Sequence, residues 1–181
     1  MRGGFLRQAW RFARDRRGVA ALEFALVVPI VIVVYAAGFE IAEAATVYRK
    51  LTDTTVQLAN VTAQYTSMTT TDTSSVMSAS SQIMSPYSTS PLTIILSEVT
   101  TNAQGAGTIT WSQALNTTAL AKGASVTLPS GFQAANSSYI LVQTTYAYTP
   151  IIGSAFVSNI NMSNQIFMLP RQSTSIPCSG C

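Results

Sequence analysis

Beyond Thr54, the side chains that could do chemistry are few: the thiols of Cys178-Ser179-Gly180-Cys181 and the carboxylates of Asp72 and Glu98. The Cys-x-x-Cys spacing matches thiol-redox motifs, which need a helix N-terminus to lower one thiol pKa, usually after a strand. Here the pair follows Ser175-Ile176-Pro177, with no helical pattern behind it. It reads as a small closed disulfide loop, with pairing to another subunit as the alternative. Two carboxylates serve as hydrolytic acid and base only if the fold brings them together, and nothing in the pattern argues for that. The chain contains no histidine, which removes Ser-His-Asp and Cys-His catalysis and the common zinc-ligand sets. Gly105-Ala106-Gly107 is too short and isolated for a phosphate loop and reads as a turn. The expectation is a protein that catalyses nothing and needs no cofactor or metal.

The other constellation lies at the start. Arg14-Asp15-Arg16-Arg17-Gly18 leads into an apolar run from Val19 to about Ile41, whose only ionisable residues are Glu23 and Glu40. At ~1.5 Å per residue the run spans roughly 33 Å as a helix, enough for a hydrocarbon core of ~30 Å. Upstream, six arginines against Asp15 give the leader a charge of +5, which leaves −2 for the rest of a chain whose net charge is +3. By the positive-inside rule this predicts a single-pass protein of a bacterial inner membrane, its N-terminus cytoplasmic and everything after Ile41 across the membrane. From Thr54 onward the only charges are Asp72, Glu98, Lys122 and Arg171. No basic patch exists to hold phosphates, so the basic balance is a topology signal and no nucleic-acid partner is expected.

Gly18, the arginines before it, Glu23 five residues on and Phe24 directly after it together resemble a prepilin-type processing site. A prepilin peptidase acting there would cut after Gly18 and leave Val19 as the new N-terminus, with Glu23 as the fifth mature residue. A carboxylate inside a bilayer costs about 3 kcal/mol or more unless paired. In a filament the partner would be the free amine of a neighbouring Val19, which would also set subunit register. Alternatively Glu23 sits at the cytoplasmic interface, one turn from Arg17, and stays wet. An uncleaved anchor is the second arrangement. A secretory signal cut after Ala42-Glu43-Ala44 is the third, weakened by two acids in its last segment and by a run too long for a typical h-region. Pro29 removes one helical hydrogen bond about three turns in; membrane helices tolerate this, either as a kink that helps subunits leave the bilayer or as a simple bend.

The block Arg16-Arg17-Gly18-Val19-Ala20-Ala21-Leu22-Glu23-Phe24-Ala25-Leu26-Val27-Val28-Pro29 is similar to the N-terminus of TadE/TadG-type proteins of the tight-adherence (Flp pilus) apparatus. The specific likeness covers roughly residues 14 to 50, and Tyr146-Ala147-Tyr148-Thr149-Pro150 resembles the family's tyrosine-rich segment. The resemblance implies a minor pseudopilin or accessory subunit whose partners are the membrane, prepilin peptidase, other pilins and the assembly apparatus. The major Flp pilin of that family is much shorter. The chain is also too short for the von Willebrand A-type domain of many TadG proteins, and it lacks their Asp-x-Ser-x-Ser site, so TadE is the closer fit. The competing readings are a membrane-anchored periplasmic scaffold that never enters a filament, and a secreted adhesin.

Four segments must position these residues: a leader over 1–18, a membrane helix with its extension over 19–65, a Ser/Thr-rich connector or short helix over 66–91, and a β-rich domain over 92–181. Ile41, Ala44, Tyr48, Leu51, Thr55, Leu58, Thr62 and Tyr65 recur at spacings of three and four, which predicts that the helix continues past the membrane with one face against its own domain or a neighbour. Asp72 is placed to cap a short helix reaching Met84. After Pro91 the period becomes two: Leu92, Ile94 and Leu96 share a strand face, Ile109 and Trp111 share another across a loop at Gln104–Gly107, and Val126 and Leu128 form a shorter candidate. The strongest strand is Tyr139 to Thr149, with Ile140, Val142, Thr144, Tyr146 and Tyr148 on one side. Phe156-Val157 and Ile166-Phe167-Met168-Leu169 add apolar surface. The expected fold is α+β, a long helix packed on an antiparallel sheet of about four or five strands.

Overall fold

The computed structural model describes residues 17–152 and 159–181. The basic leader before Arg17 and the segment containing Phe156-Val157 lie outside the described residues. Helix α1 runs from Arg17 to Thr62 and crosses the boundary between two units, which falls between Ala42 and Glu43. In the distal unit α1 is followed by β1 (Met68–Thr69), α2 (Thr70–Ser78), α3 (Ser80–Met84), β2 (Leu92–Thr101), β3 (Gly107–Leu115), β4 (Ser125–Val126), β5 (Ser138–Tyr148), β6 (Ile160–Met168) and β7 (Cys178–Ser179). Five strands form one antiparallel sheet in the order β4-β3-β2-β5-β6, and β1 pairs in parallel with β7. The fold is α+β, with the long helix and the five-stranded antiparallel sheet that the change of period implies.

No glycine or proline interrupts α1 between Phe39 and Thr62, so the helix has no intrinsic breaker over the length that meets the sheet. Val47, Leu51, Leu58 and Ala59 are buried against Leu92, Ile94, Leu96, Ile140 and Val142. The predicted stripe needs correction at its start: Tyr48 is 47% exposed and Ile41 70% exposed, whereas Val47 is fully buried. The inward face is centred on Leu51 and Leu58, and Val47, one turn before Leu51, fills the place assigned to Tyr48. Thr54 and Thr55 also face inward and are buried. Each returns its hydroxyl proton to the carbonyl four residues back, Thr54 to Lys50 and Thr55 to Leu51, both at 2.8 Å. With its one proton so used, Thr55 Oγ1 accepts from Thr144 Oγ1 of β5 at 2.6 Å. Asn164 Nδ2 of β6 donates to Thr52 Oγ1 at 2.9 Å. This polar seam fixes how far the helix slides along the sheet, because a shift would leave buried hydroxyls unpaired at about 1–3 kcal/mol each.

The connector contains two short helices. The cap of α2 is Thr69, not Asp72: the Thr69 side chain accepts from the Asp72 N–H at 3.3 Å, and Asp72 Oδ2 accepts from the Thr69 N–H at 2.8 Å. Threonine followed three residues later by an acid makes this reciprocal pair, so Asp72 occupies the third helical position. The Thr69 hydroxyl also donates to Asp72 Oδ2, and these bonds from Thr69 hold the Asp72 carboxyl below its ordinary pKa. Helix α2 stops at Ser78, and α3 covers Ser80 to Met84. Val76, Met77 and Met84 drop into the helix-side core.

Ile109 and Trp111 do not share a face. Glu98 pairs with Trp111 and Val99 with Ile109, so Thr110 is an extra residue that bulges β3 and reverses the alternation beyond it. Trp111 therefore joins the helix-side core. Ile109 joins a second core on the opposite face with Val99, Leu128, Tyr139, Leu141 and Phe167. The connection between β3 and β5 covers that second core: Phe132 meets the Tyr139 ring edge-on at 5.3 Å and Phe167 at 5.6 Å. The β2–β3 turn is built on Asn102, whose Oδ1 accepts from the N–H groups of Gln104 and Ala106, both at 2.9 Å. Gly105 takes φ +78° there, and a Cβ would strike the carbonyl of Gln133.

The segment after β6 straps the helix-side core. Arg171 N–H donates to the Ala63 carbonyl at 2.8 Å, and its Nη2 to Asn60 Oδ1 at 2.8 Å, a cation at the C-terminal end of α1 where the helix dipole favours one. Ile176 is fully buried. Its N–H donates to Glu98 Oε1 at 2.7 Å, and its carbonyl accepts from Trp111 Nε1 at 2.7 Å. Glu98, 1% exposed, takes a second bond on the same oxygen from Ser138 Oγ at 2.5 Å. Glu98→Ala should cost about 2–5 kcal/mol because two buried donors lose their acceptor, and Glu98→Gln less, since an amide oxygen can still accept. Thermal unfolding of the full chain in detergent, followed by circular dichroism, measures both.

At the other end of the sheet Tyr87 donates its hydroxyl to Glu43 Oε2 at 2.6 Å. That bond, then burial and the nearby negative charge, hold the Tyr87 phenol up at about 12. A phenol raised in the folded state binds its proton more tightly than in the unfolded chain. The pair's contribution is thus complete below the ordinary pKa of about 10 and lost as pH rises towards 12. Tyr87→Phe should remove the highest-pH step from a phenolate absorbance titration and flatten the alkaline loss of stability, with little effect at pH 7.

Candidate functional site

The first unit offers its side chains to its surroundings. Val19, Leu22, Phe24, Leu26, Ile30, Val33 and Tyr35 are each exposed by half or more, as is Ile41. None of the most apolar 18-residue stretch of α1 is buried, and the helix is long and apolar enough to cross a membrane. An exposed apolar surface of this extent is unfavourable in water, where each large side chain forgoes about 1.5–3 kcal/mol of burial. The arrangement suits a single-pass membrane anchor.

The residues singled out in sequence all fall on this helix. Gly18 lies in its first turn, and a Cβ added there meets nothing within 4 Å. Glycine lowers helix stability by roughly 1 kcal/mol relative to alanine, so packing within the chain gives no reason for it. Val19 and Phe24 are 51% and 71% exposed. Glu23 is exposed on the same helix and has no hydrogen-bonding or ionic partner among the described residues. Helix α1 continues through Pro29, where the missing N–H leaves the Ala25 carbonyl without its helical donor.

Cys178 and Cys181 form a disulfide with each other. Cys178 pairs with Met68 in the parallel β1–β7 ladder, and Met68 N–H donates to the Pro177 carbonyl at 2.9 Å. Gly180 turns the loop with φ +82°. The sequence carried no sign that Glu98 and Trp111 would hold this strap. Their partner is the backbone of Ile176, and a main-chain group has no sequence signature.

Asp72 and Glu98 share no partner: Asp72 is committed to the α2 cap and Glu98 to Ser138 and Ile176. Among the described residues no three of His, Cys, Asp and Glu are grouped to hold a metal ion. An open groove over β5 and β6 is lined by Gln143, Thr144, Thr145, Ser163, Asn164 and Gln165, amides and hydroxyls with no acid or base among them. No protein-family model matches the chain, and no curated protein or solved structure matches it.

Closing so short a disulfide loop restricts the unfolded chain by roughly 2 kcal/mol at most. Replacing Cys178 and Cys181 together with serine should therefore leave the distal unit folded and lower its Tm by only a few degrees. The same change should raise amide exchange in the segment after Pro170. Two free thiols in the unfolded, non-reduced protein would remove the premise, and a dimer lost on reduction would mean that the bond joins two chains.

Proposed function

We propose that this chain is a membrane-held accessory subunit, of minor-pseudopilin type, in the assembly of a bacterial tight-adherence pilus, matured by a prepilin peptidase that cuts after Gly18. The observation that carries the reading is the pairing of Gly18, which no contact in the chain requires, with Glu23, an unpartnered acid on an exposed apolar helix. A residue without a side chain suits a peptidase subsite, and the cut would create an amine at Val19. An acid in hydrocarbon needs an opposite charge. On one helix the two groups are too far apart for a direct bond, so the amine that meets Glu23 comes from a second subunit. Assembly then follows from contacts, and the α+β domain supplies the surface displayed beyond the membrane.

One observation favours a second reading, an uncleaved anchor serving as a periplasmic scaffold. Helix α1 begins at Arg17, so the Gly18–Val19 bond is helical and must unwind before hydrolysis. The first turn of a helix has no intrahelical acceptors for its N–H groups and frays readily, which keeps that barrier low.

The intact mass of the membrane-extracted protein separates the readings: a chain beginning at Val19, a full-length chain, or a chain cut near Ala44. Gly18→Leu should leave the precursor in the membrane, and a product still starting at Val19 in that variant would sink the processing claim. Glu23→Ala should insert normally yet fail to be incorporated, with pilus-dependent adherence reduced. Normal incorporation of a stably expressed Glu23→Ala protein would return Glu23 to the membrane interface as a solvated residue.

A further inference from the structure

We infer that the end of the β5–β6 hairpin, through Ile151, Ile152 and Ile160, is a second membrane contact that lays the distal unit on the lipid surface. The inference rests on the anchor part of the proposed function. It starts from which elements meet where α1 joins the distal unit. Glu43, the first residue of that unit, is two residues past Ile41, the last of the apolar run. Tyr87 reaches Glu43, and Tyr146 at the far end of β5 donates its hydroxyl to the Ser88 carbonyl at 3.1 Å. Ala147 N–H donates to the Pro91 carbonyl at 3.3 Å, and Tyr148 pairs with Ile160. Strand β5 therefore runs towards this pole and β6 starts from it, while the opposite pole holds the β2–β3 turn and the Arg171 bond to the end of α1.

At the pole that carries Glu43, the hairpin shows apolar side chains to the outside. Ile151 is 68% exposed, Ile152 54% and Ile160 40%, and the bond from Thr149 Oγ1 to Asn159 Oδ1 at 2.8 Å holds the two strands together beside them. Single exposed isoleucines are ordinary, but three at one hairpin end are a patch. No charged residue occurs between Lys122 and Arg171, so both strands of the hairpin can meet an interface without desolvating an ion. A charge-free apolar tip within about one helical turn of the membrane boundary fits the acyl–headgroup region of a bilayer. With no cation on it, the contact is hydrophobic and independent of lipid charge.

The test places a nitroxide on Ile151→Cys in the full chain, reconstituted in phosphatidylcholine nanodiscs. The native disulfide stays closed, so there is no competing thiol. Tyr35→Cys reports the apolar run, and Gln104→Cys, in the β2–β3 turn, the opposite pole. Power saturation should show a several-fold lower accessibility to a water-soluble nickel chelate at position 151 than at 104, with oxygen accessibility retained, and neither anionic lipid nor high salt should change it. Equal nickel accessibility at 151 and 104, with position 35 shielded, overturns the inference and leaves the anchor standing. Position 35 open to nickel overturns the anchor itself. Shielding of position 151 from both reagents means that protein, such as a second copy of the chain, covers the tip, and overturns the lipid contact.

Discussion

A carboxyl group taken out of water must find donors inside the protein, and the distal unit is arranged so that Glu98 finds them in two places. Ser138 comes from the start of β5, the neighbouring strand, and the Ile176 N–H comes from a segment 78 residues further on. The first bond is local to the sheet. The second ties the strap that closes the bottom of the helix-side core, with Trp111 holding the carbonyl of the same residue. The bulge at Thr110 is what allows this, since without it Trp111 would point to the other face. Sheet, strap and helix end are thus linked through one side chain, and the second core on the opposite face can be covered by a loop.

The same logic explains how a domain with few ions stays ordered. The inward stripe of α1 is half threonine, and each buried hydroxyl of Thr54 and Thr55 satisfies itself first on its own helix. Only the remaining acceptor capacity is turned to the sheet. Stability and register are therefore divided between chemically different groups: leucines, valines and isoleucines supply the burial, while Thr55, Thr144, Thr52 and Asn164 determine where the helix stops.

Much of the fold was legible because period and burial coincide. The alternation of Ile140, Val142, Thr144, Tyr146 and Tyr148 is read directly from the sequence, and all five face the helix-side core. What failed has physical causes. One extra residue in β3 leaves no compositional trace, so Ile109 and Trp111 were given the same face. Tyr48 and Val47 are adjacent and both satisfy a helical period, and only the position of the sheet decides between them. Asp72 and Thr69 are both acceptable caps, and the reciprocal bond selects Thr69. The N-terminal pattern was legible as spacing, because Gly18 and Glu23 stand out by type against an apolar background. Glu98 was visible only as one of few charges, since its partner is a backbone group.

The placement of Ile176 has a consequence for how the protein reaches its final state. The helix-side core needs Val47 and Leu51 at one end of the sequence and Ile176 at the other, so its contacts are strongly non-local and slow to close. A chain threaded through a membrane in order exposes the α1 segment first and the strap last. The core then lacks its floor until the region around Ile176 has crossed, and Glu98 waits for its second donor. Maturation of the distal unit is in this way made to follow transport instead of competing with it, and the chain remains threadable for as long as it must be threaded.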